Sequence, residues 1–297
     1  MASGIGNIEN NRLAYLYTVP AFVVMGLVVL YPFVYNIILS FSNMNLSHFN
    51  NWRLTGFENY SAVFRERTFW YFLGKTFLWT AVNVFFHVTI GVALALILNK
   101  DIKGKSFFRT LLILPWAVPQ YITALTWRGL FNSEYGAVSL MLDQAFGVQI
   151  PWLTTEWGAF TACVITNVWL GFPFMMVIAL GGLQSIPEEL YEASDIDGAS
   201  WYHKLKHITL PLLKPVMIPA ITLGIIWTFN NFNVVWLVSN GGEPADTTHI
   251  LVSWVYKSGF RYFRMGYAAA FSMIIFIFLL TFSWNFIKKT RATEAVY

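Results

Sequence analysis

The stretch SIPEELYEASDIDGASWYHKLKHITLPLLKP, Ser185–Pro215, decides how the rest of the chain is read. It is polar, and it interrupts a sequence that is otherwise largely apolar. Ser185 and Glu188 stand in S-x-x-E spacing, which predicts a capping box, with Pro187 in the first turn where its missing N–H costs little. Glu188, Glu189 and Glu192 then crowd the positive end of the predicted helix. Gly198 ends that helix at a position suited to left-handed backbone. A second short helix follows, basic and aromatic, through Trp201, Tyr202, His203, Lys204, Lys206 and His207, before Pro211 and Pro215 return the chain to apolar sequence. The expected unit is a helix-turn-helix built to dock onto something, too structured for a plain linker.

Outward from this stretch the chain reads as membrane. Of its 297 residues 57% are hydrophobic, 18% aromatic and 11% charged, and the mean hydropathy is +0.55. Soluble domains carry about 25% charge, so this chain could not cover a water-facing globule of its size. It is also too aromatic to be disordered. A formal net charge of +4 is too small and dispersed for nucleic-acid binding. The single cysteine, Cys163, cannot close an internal disulfide and is expected to pack as a small hydrophobe.

Six apolar runs approach the ~20 residues a spanning helix needs, at about 13–40, 73–98, 108–130, 158–183, 212–238 and 265–287. The first is too long for a signal peptide and lacks a cleavage site, so it reads as an uncleaved span. The expectation is an all-α integral membrane protein, one transmembrane domain over 1–297. Six spans put both termini on one face. The basic loop Lys100, Lys103, Lys105, Arg109 and the tail Lys288, Lys289, Arg291 point to a cytoplasmic face for both, whereas 131–157 carries no Lys or Arg. The first outer loop, roughly 41–72, holds Phe49, Trp52, Phe57, Tyr60, Phe64, Phe69 and Trp70, which suits either an interfacial helix or ordinary packing.

The 185–211 loop resembles the EAA loop of ABC-importer permeases, E-A-A-x3-G-x9-I-x-L-P: here Glu192-Ala193-Ser194, Gly198, Ile208 and Leu210-Pro211, with one small residue replacing another at the third position. The runs FFRTLLILPWAVPQYITALTW (Phe107–Trp127), NVWLGFPFMM (Asn167–Met176) and FNNFNVVWLVSNGGEP (Phe229–Pro244) are similar to the carbohydrate-uptake branch, the maltose/maltodextrin permeases. The resemblance implies the type I importer permease fold in its short six-span form, with a cytoplasmic coupling helix, in a bacterial cell membrane. It implies that Glu192, Ala193, Gly198, Ile208 and Pro211 couple the chain to an ATP-hydrolysing partner. It further implies a second homologous permease, two ATP-binding cassette subunits that bind the ATP and magnesium, and an extracytoplasmic sugar-binding protein. The chain itself would hold no cofactor and would not be an enzyme.

Polar side chains inside spans are costly and therefore informative. Span four offers Asn167, with Leu170, Gly171 and Phe174 on its face; span five offers Trp227, Asn230, Asn231 and Val234, with Asn233 beside them. Asn167 and Asn230 lie roughly 12–14 Å from the outer ends at ~1.5 Å per residue, so the two patches reach similar depth. Neither span carries an acid or base there, as a proton- or sodium-coupled site would. Neutral amides beside rings suit a neutral polyhydroxylated solute, or else bond helix to helix. The resemblance places Asn167, Leu170, Gly171, Phe174, Gly224, Trp227 and Thr228 in stretches that line a sugar site; Asn230 and Asn231 complete the candidate set. The competing expectation is a stand-alone secondary sugar transporter.

Other signals fall away. Gly104-Lys105-Ser106 would need glycine at Asn99 to be a phosphate loop. His203 and His207 stand i, i+4, but the residue after His203 is Lys204 and no third metal ligand is near. Pro115, Pro119, Pro173 and Pro219 are expected to kink or loosen spans, and His87, Gln120 and Arg128 are further polar residues within them.

Overall fold

The computed structural model describes residues 15–290. Among these the regular structure is helical, joined by irregular loops, with an isolated antiparallel bridge between Ser42 and Leu54. Arg291 of the basic tail lies outside the described residues. Five helices are long and apolar enough to cross a membrane: α1 (Tyr15–Ser40), α3 (Arg67–Asn99), α7 (Glu156–Gln184), α9 (Trp201–Phe229) and the last, α12, apolar over Met265–Phe286 and helical through Thr290. The shorter helices are α2 (Glu58–Arg65), α4 (Lys105–Ala117), α5 (Gln120–Leu130), α6 (Ala137–Phe146), α8 (Glu189–Ile196), α10 (Phe232–Val238) and α11 (Leu251–Tyr256). The described residues divide into two compact units, 15–66 with Val255–Ile275, and Arg67–Trp254 with 276–290.

The expected third span is two helices. Val118 is extended at ψ 135° and Pro119 at ψ 129°, separating α4 from α5. A residue before proline is pushed out of the α region, and Pro119 has no N–H to continue the ladder. The expected fifth span is also divided. The short basic helix expected from Trp201 runs on without interruption into the span, and this helix stops at Phe229. Asn231 then caps α10, its Oδ1 accepting from the Val234 N–H at 3.3 Å, because an Asn side chain competes for backbone donors better at a cap than inside a helix.

Prolines also explain two wide turns. Gly26–Leu30 ends two residues before Pro32, and Leu205–Thr209 ends two before Pro211; both are π-helical. Each proline withholds the N–H that the carbonyl four residues earlier would receive, and its ring crowds that carbonyl. Widening the preceding turn accommodates it, as the Leu210 N–H does by donating to Leu205 O.

In the first unit, Asn59 Nδ2 donates to Ser40 O at 3.1 Å and Ser42 O at 2.7 Å, and Gly266 N donates to Met44 O at 2.8 Å. Glu66 accepts from Arg264 at 2.9 Å and Tyr267 at 2.6 Å. The aromatic stretch 41–72 splits in role: Phe69 is buried, while Phe49, Phe57 and Trp70 are exposed.

In the second unit α3 and α7 form the spine. One apolar cluster gathers around Trp79, Phe131, Trp152 and Cys163, another around Leu98, Met175, Met176 and Leu213. Cys163 is free and buried. The spine closes where Gly91 meets α7: a Cβ there would lie 2.7 Å from Met175 Cβ and 2.8 Å from Met176 N. Backbone cannot yield as a flexible side chain can, so Gly91→Val forces α3 and α7 apart. We expect it to lower unfolding stability by about 1–3 kcal/mol, read from thermal unfolding of the detergent-solubilised protein.

Candidate functional site

The polar stretch 185–215 folds around one left-handed residue. Ser185 does not open a capping box. It ends α7, its Oγ donating to Gly182 O at 2.8 Å. Pro187 precedes the helix, and α8 starts at Glu189 without a side-chain cap. The competing demand is the C-terminus of α7, whose last carbonyls need donors. Gly198 adopts φ +71°, with nothing within 4 Å of where a Cβ would stand. Ser200 then caps α9, accepting from His203 N at 3.4 Å.

Two contacts fix α8 against α9. Tyr191 Oη and Thr209 Oγ1 share a hydrogen bond at 2.9 Å, and Lys204 pairs with Asp195. The outer surface stays open: Glu192, Ala193 and Gly198 are exposed, Pro211 is exposed on α9, and Ile208 is half-buried. Ile196, at the end of α8, is 89% exposed. It is a large apolar side chain on a short helix braced from within by the Tyr191–Thr209 and Lys204–Asp195 contacts. The sequence pattern did not single out Ile196, since it reads there as one more helix-spaced apolar residue. His203 and His207 stack on each other at 4.1 Å, and no group of three or more metal-ligating side chains occurs among the described residues.

The second candidate region lies on α3, α7 and the break between α9 and α10. Asn231 Nδ2 donates to Asn167 Oδ1 at 2.7 Å, so the two patches read from the sequence meet. His87 Nε2 sits 2.9 Å from the Asn167 backbone carbonyl, which only accepts, so this nitrogen carries the proton. The imidazole fits because Gly171 has no side chain: a Cβ there would stand 2.3 Å from the ring. Asn167 Nδ2 and Asn83 Oδ1 are buried without hydrogen-bond partners among the described residues. A buried amide left half-satisfied costs about 1–3 kcal/mol, a poor way merely to hold helices together.

About two helical turns along α7 from Asn167 stands an aromatic shelf. Phe174 and Trp227 have ring centroids 5.2 Å apart, and Trp116 lies 6.2 Å from Phe174. Trp227 and Trp116 are 54% and 55% exposed. Asn233 Nδ2 donates to Gln120 Oε1 at 3.0 Å, placing α5 beside α10.

The nine candidate residues fall into two groups. Trp227 and Asn230 are exposed, and Phe174 and Asn231 are half-buried. The others build the wall. Asn167 and Leu170 are buried, Gly171 admits His87, and Gly224 admits Met175, whose Cε would lie 2.5 Å from a Cβ. Thr228 is buried, and its backbone carbonyl receives Trp79 Nε1 at 2.8 Å. Trp116 is a further member of the shelf that the sequence does not single out: α4 packs on α7 and brings its ring to Phe174, a tertiary contact that hydropathy does not carry.

Charge does enter the second unit, elsewhere. Lys75 on α3 is 5% exposed, donating to Glu156 Oε1 at 3.0 Å and Thr247 O at 2.5 Å. Tyr71, Trp157 and Phe160 present rings 5.3–5.5 Å from its ammonium. These partners satisfy a buried cation.

Residues 87–290 match the family model described as "Binding-protein-dependent transport system inner membrane component". The galactooligosaccharides transport system permease protein GanP of Bacillus subtilis is 38% identical over 96% of this chain and 72% of its own length. The trehalose/maltose transport system permease protein MalF of Thermococcus litoralis is 38% identical over 78% of each. Among solved structures, a chain of a bacterial ABC transporter involved in import of the acidic polysaccharide alginate superposes with TM-score 0.84, 19% identity and coverage of 98% and 99%. At that identity the likeness speaks for the fold.

Proposed function

The chain belongs to the binding-protein-dependent transport system inner membrane components, and from that premise we propose that it is the permease subunit of an ATP-driven importer for a neutral oligosaccharide, of the maltodextrin or galactooligosaccharide class. It is a multi-pass membrane protein and not itself an enzyme. With α4 and α5 together crossing as one broken span beside the five long helices, both termini lie on the cytoplasmic face, as does the 185–215 loop. There α8 docks in an ATP-binding cassette subunit through Glu192, Ala193, Gly198 and the protruding Ile196. A second such subunit binds a second permease chain, and a sugar-binding protein delivers the solute from outside. ATP and magnesium belong to the cassette subunits.

In this reading Trp227, Phe174, Asn230 and Asn231 meet the solute, and Asn167, Leu170, Gly171, Gly224 and Thr228 hold them in place. Sugar faces pack on rings, and hydroxyls exchange hydrogen bonds with amides that both donate and accept. The observation that carries the proposal is the pairing of Asn231 with Asn167, about two turns along α7 from the Phe174–Trp227 shelf, a surface of neutral amides and rings. An acidic polymer would call for Lys or Arg at such a place.

Competition for uptake by the reconstituted transporter tests the substrate class. Maltotriose or a galactotriose should displace the transported sugar, and oligomers of uronic acids should not. Equal competition by uronates would overturn the neutral assignment.

A further inference from the structure

A pocket of about 480 Å³ lies where the end of α3 meets α8 and the start of α9, away from the amides and rings just described. Its volume falls within the range of small-molecule sites. Its lining is graded along α3. Ala93, Leu96 and Ile97 form an apolar wall, and Lys100 follows directly on the last helical residue. At ~1.5 Å per residue, Ala93 and the helix end are roughly 9 Å apart along the axis. The pocket therefore runs from hydrocarbon depth to headgroup depth at the end of a spanning helix. Lys204 and the 62%-exposed indole of Trp201 complete the polar rim. Lys204 shares its charge with Asp195, whereas Lys100 is exposed and in no ion pair among the described residues.

We infer that this pocket binds one anionic phospholipid, the phosphate at Lys100 and Lys204 and the upper acyl chain along Ala93, Leu96 and Ile97. Two properties select that ligand. A soluble anion would satisfy the cations but leave the apolar wall uncovered. A zwitterionic lipid would cover the wall but bring its own cation against Lys100. Trp201 suits the interface, where an amphipathic ring sits between chains and headgroups. The site is bounded by Tyr191 of α8 as well as by α3. A bound lipid would therefore brace the helix that carries Glu192 and Ala193 against the membrane span. The inference needs only that α3 and α9 span a bilayer, and so stands apart from the substrate proposal.

Native mass spectrometry of the purified full chain, titrated in parallel with phosphatidylglycerol, phosphatidylcholine and free glycerol phosphate, tests it. One phosphatidylglycerol should be retained with about fivefold or greater preference over phosphatidylcholine. Lys100→Gln should remove about fivefold of that preference. Lys103→Gln, an exposed neighbour outside the pocket, should leave it intact, and Ala93→Phe should weaken both lipids by filling the wall. Equal binding of the two lipids would overturn the inference. So would equal losses from Lys100→Gln and Lys103→Gln, which would mean diffuse surface charge. Free glycerol phosphate binding as tightly as the lipid would make the ligand a soluble phosphate and refute the lipid assignment.

Discussion

Gly198→Val should reduce ATP-driven uptake by at least tenfold while the protein still folds and inserts. Gly198 sits at φ +71° in open space, so a substituted side chain meets no neighbour. The entire effect comes from backbone: a β-branched residue held left-handed costs about 1–3 kcal/mol. The local chain relieves that cost by abandoning the turn between α8 and α9, which moves Glu192, Ala193 and Ile196 out of the arrangement proposed for docking. Gly198→Pro should be as damaging, since proline fixes φ near −65°. Gly198→Asn should retain most of the activity, because Asn tolerates the left-handed region. The order Gly, Asn, then Val and Pro, read in radiolabelled uptake and in stimulation of ATPase activity, separates a conformational requirement from a steric one. Equal uptake by all four would remove Gly198 from the coupling mechanism.

Trp227→Ala should raise KM for the oligosaccharide by about tenfold with a smaller change in kcat. The ring is more than half exposed and stands 5.2 Å from Phe174, so it can stack on a sugar face while losing little packing on removal. Tenfold corresponds to about 1.4 kcal/mol, in keeping with loss of one aromatic platform from a binding surface. Asn167→Ala should behave differently. It removes the acceptor of the 2.7 Å bond from Asn231 and leaves that amide to find another partner. Its effect should therefore reach the break between α9 and α10, lowering kcat as well as affinity. Trp227→Phe should recover most of the lost affinity, which a purely structural role for the indole would not predict. Unchanged KM in Trp227→Ala would move the sugar site away from the shelf.

The sequence disclosed much of this because a few residue types have one comfortable place. Long apolar runs had to be spans, and α3, α7 and α12 fall where hydropathy places them. Gly198 between an acidic and a basic helical segment had to be a turn. Depth arithmetic on two antiparallel runs put the patches of Asn167 and Asn230 at similar depth, and Asn231 is the residue of the second patch that bonds Asn167. The failures are where two local demands compete. Ser185 could cap the next helix or close the previous one, and the carbonyls at the end of α7 claimed it. Val118–Pro119 and Asn230–Asn231 lie inside runs apolar enough to be single spans, and hydropathy does not register a lost backbone donor or a capping amide. Exposure of Ile196 and the approach of Trp116 to Phe174 depend on tertiary packing, which periodicity does not carry.

Uptake by the complete transporter in proteoliposomes tests the central claim most directly, with a radiolabelled neutral oligosaccharide and its binding protein outside and ATP varied inside. The account predicts accumulation that requires ATP, saturates with loaded binding protein and is lost in Gly198→Val. Accumulation by this chain alone on an ion gradient, without ATP or binding protein, would contradict it.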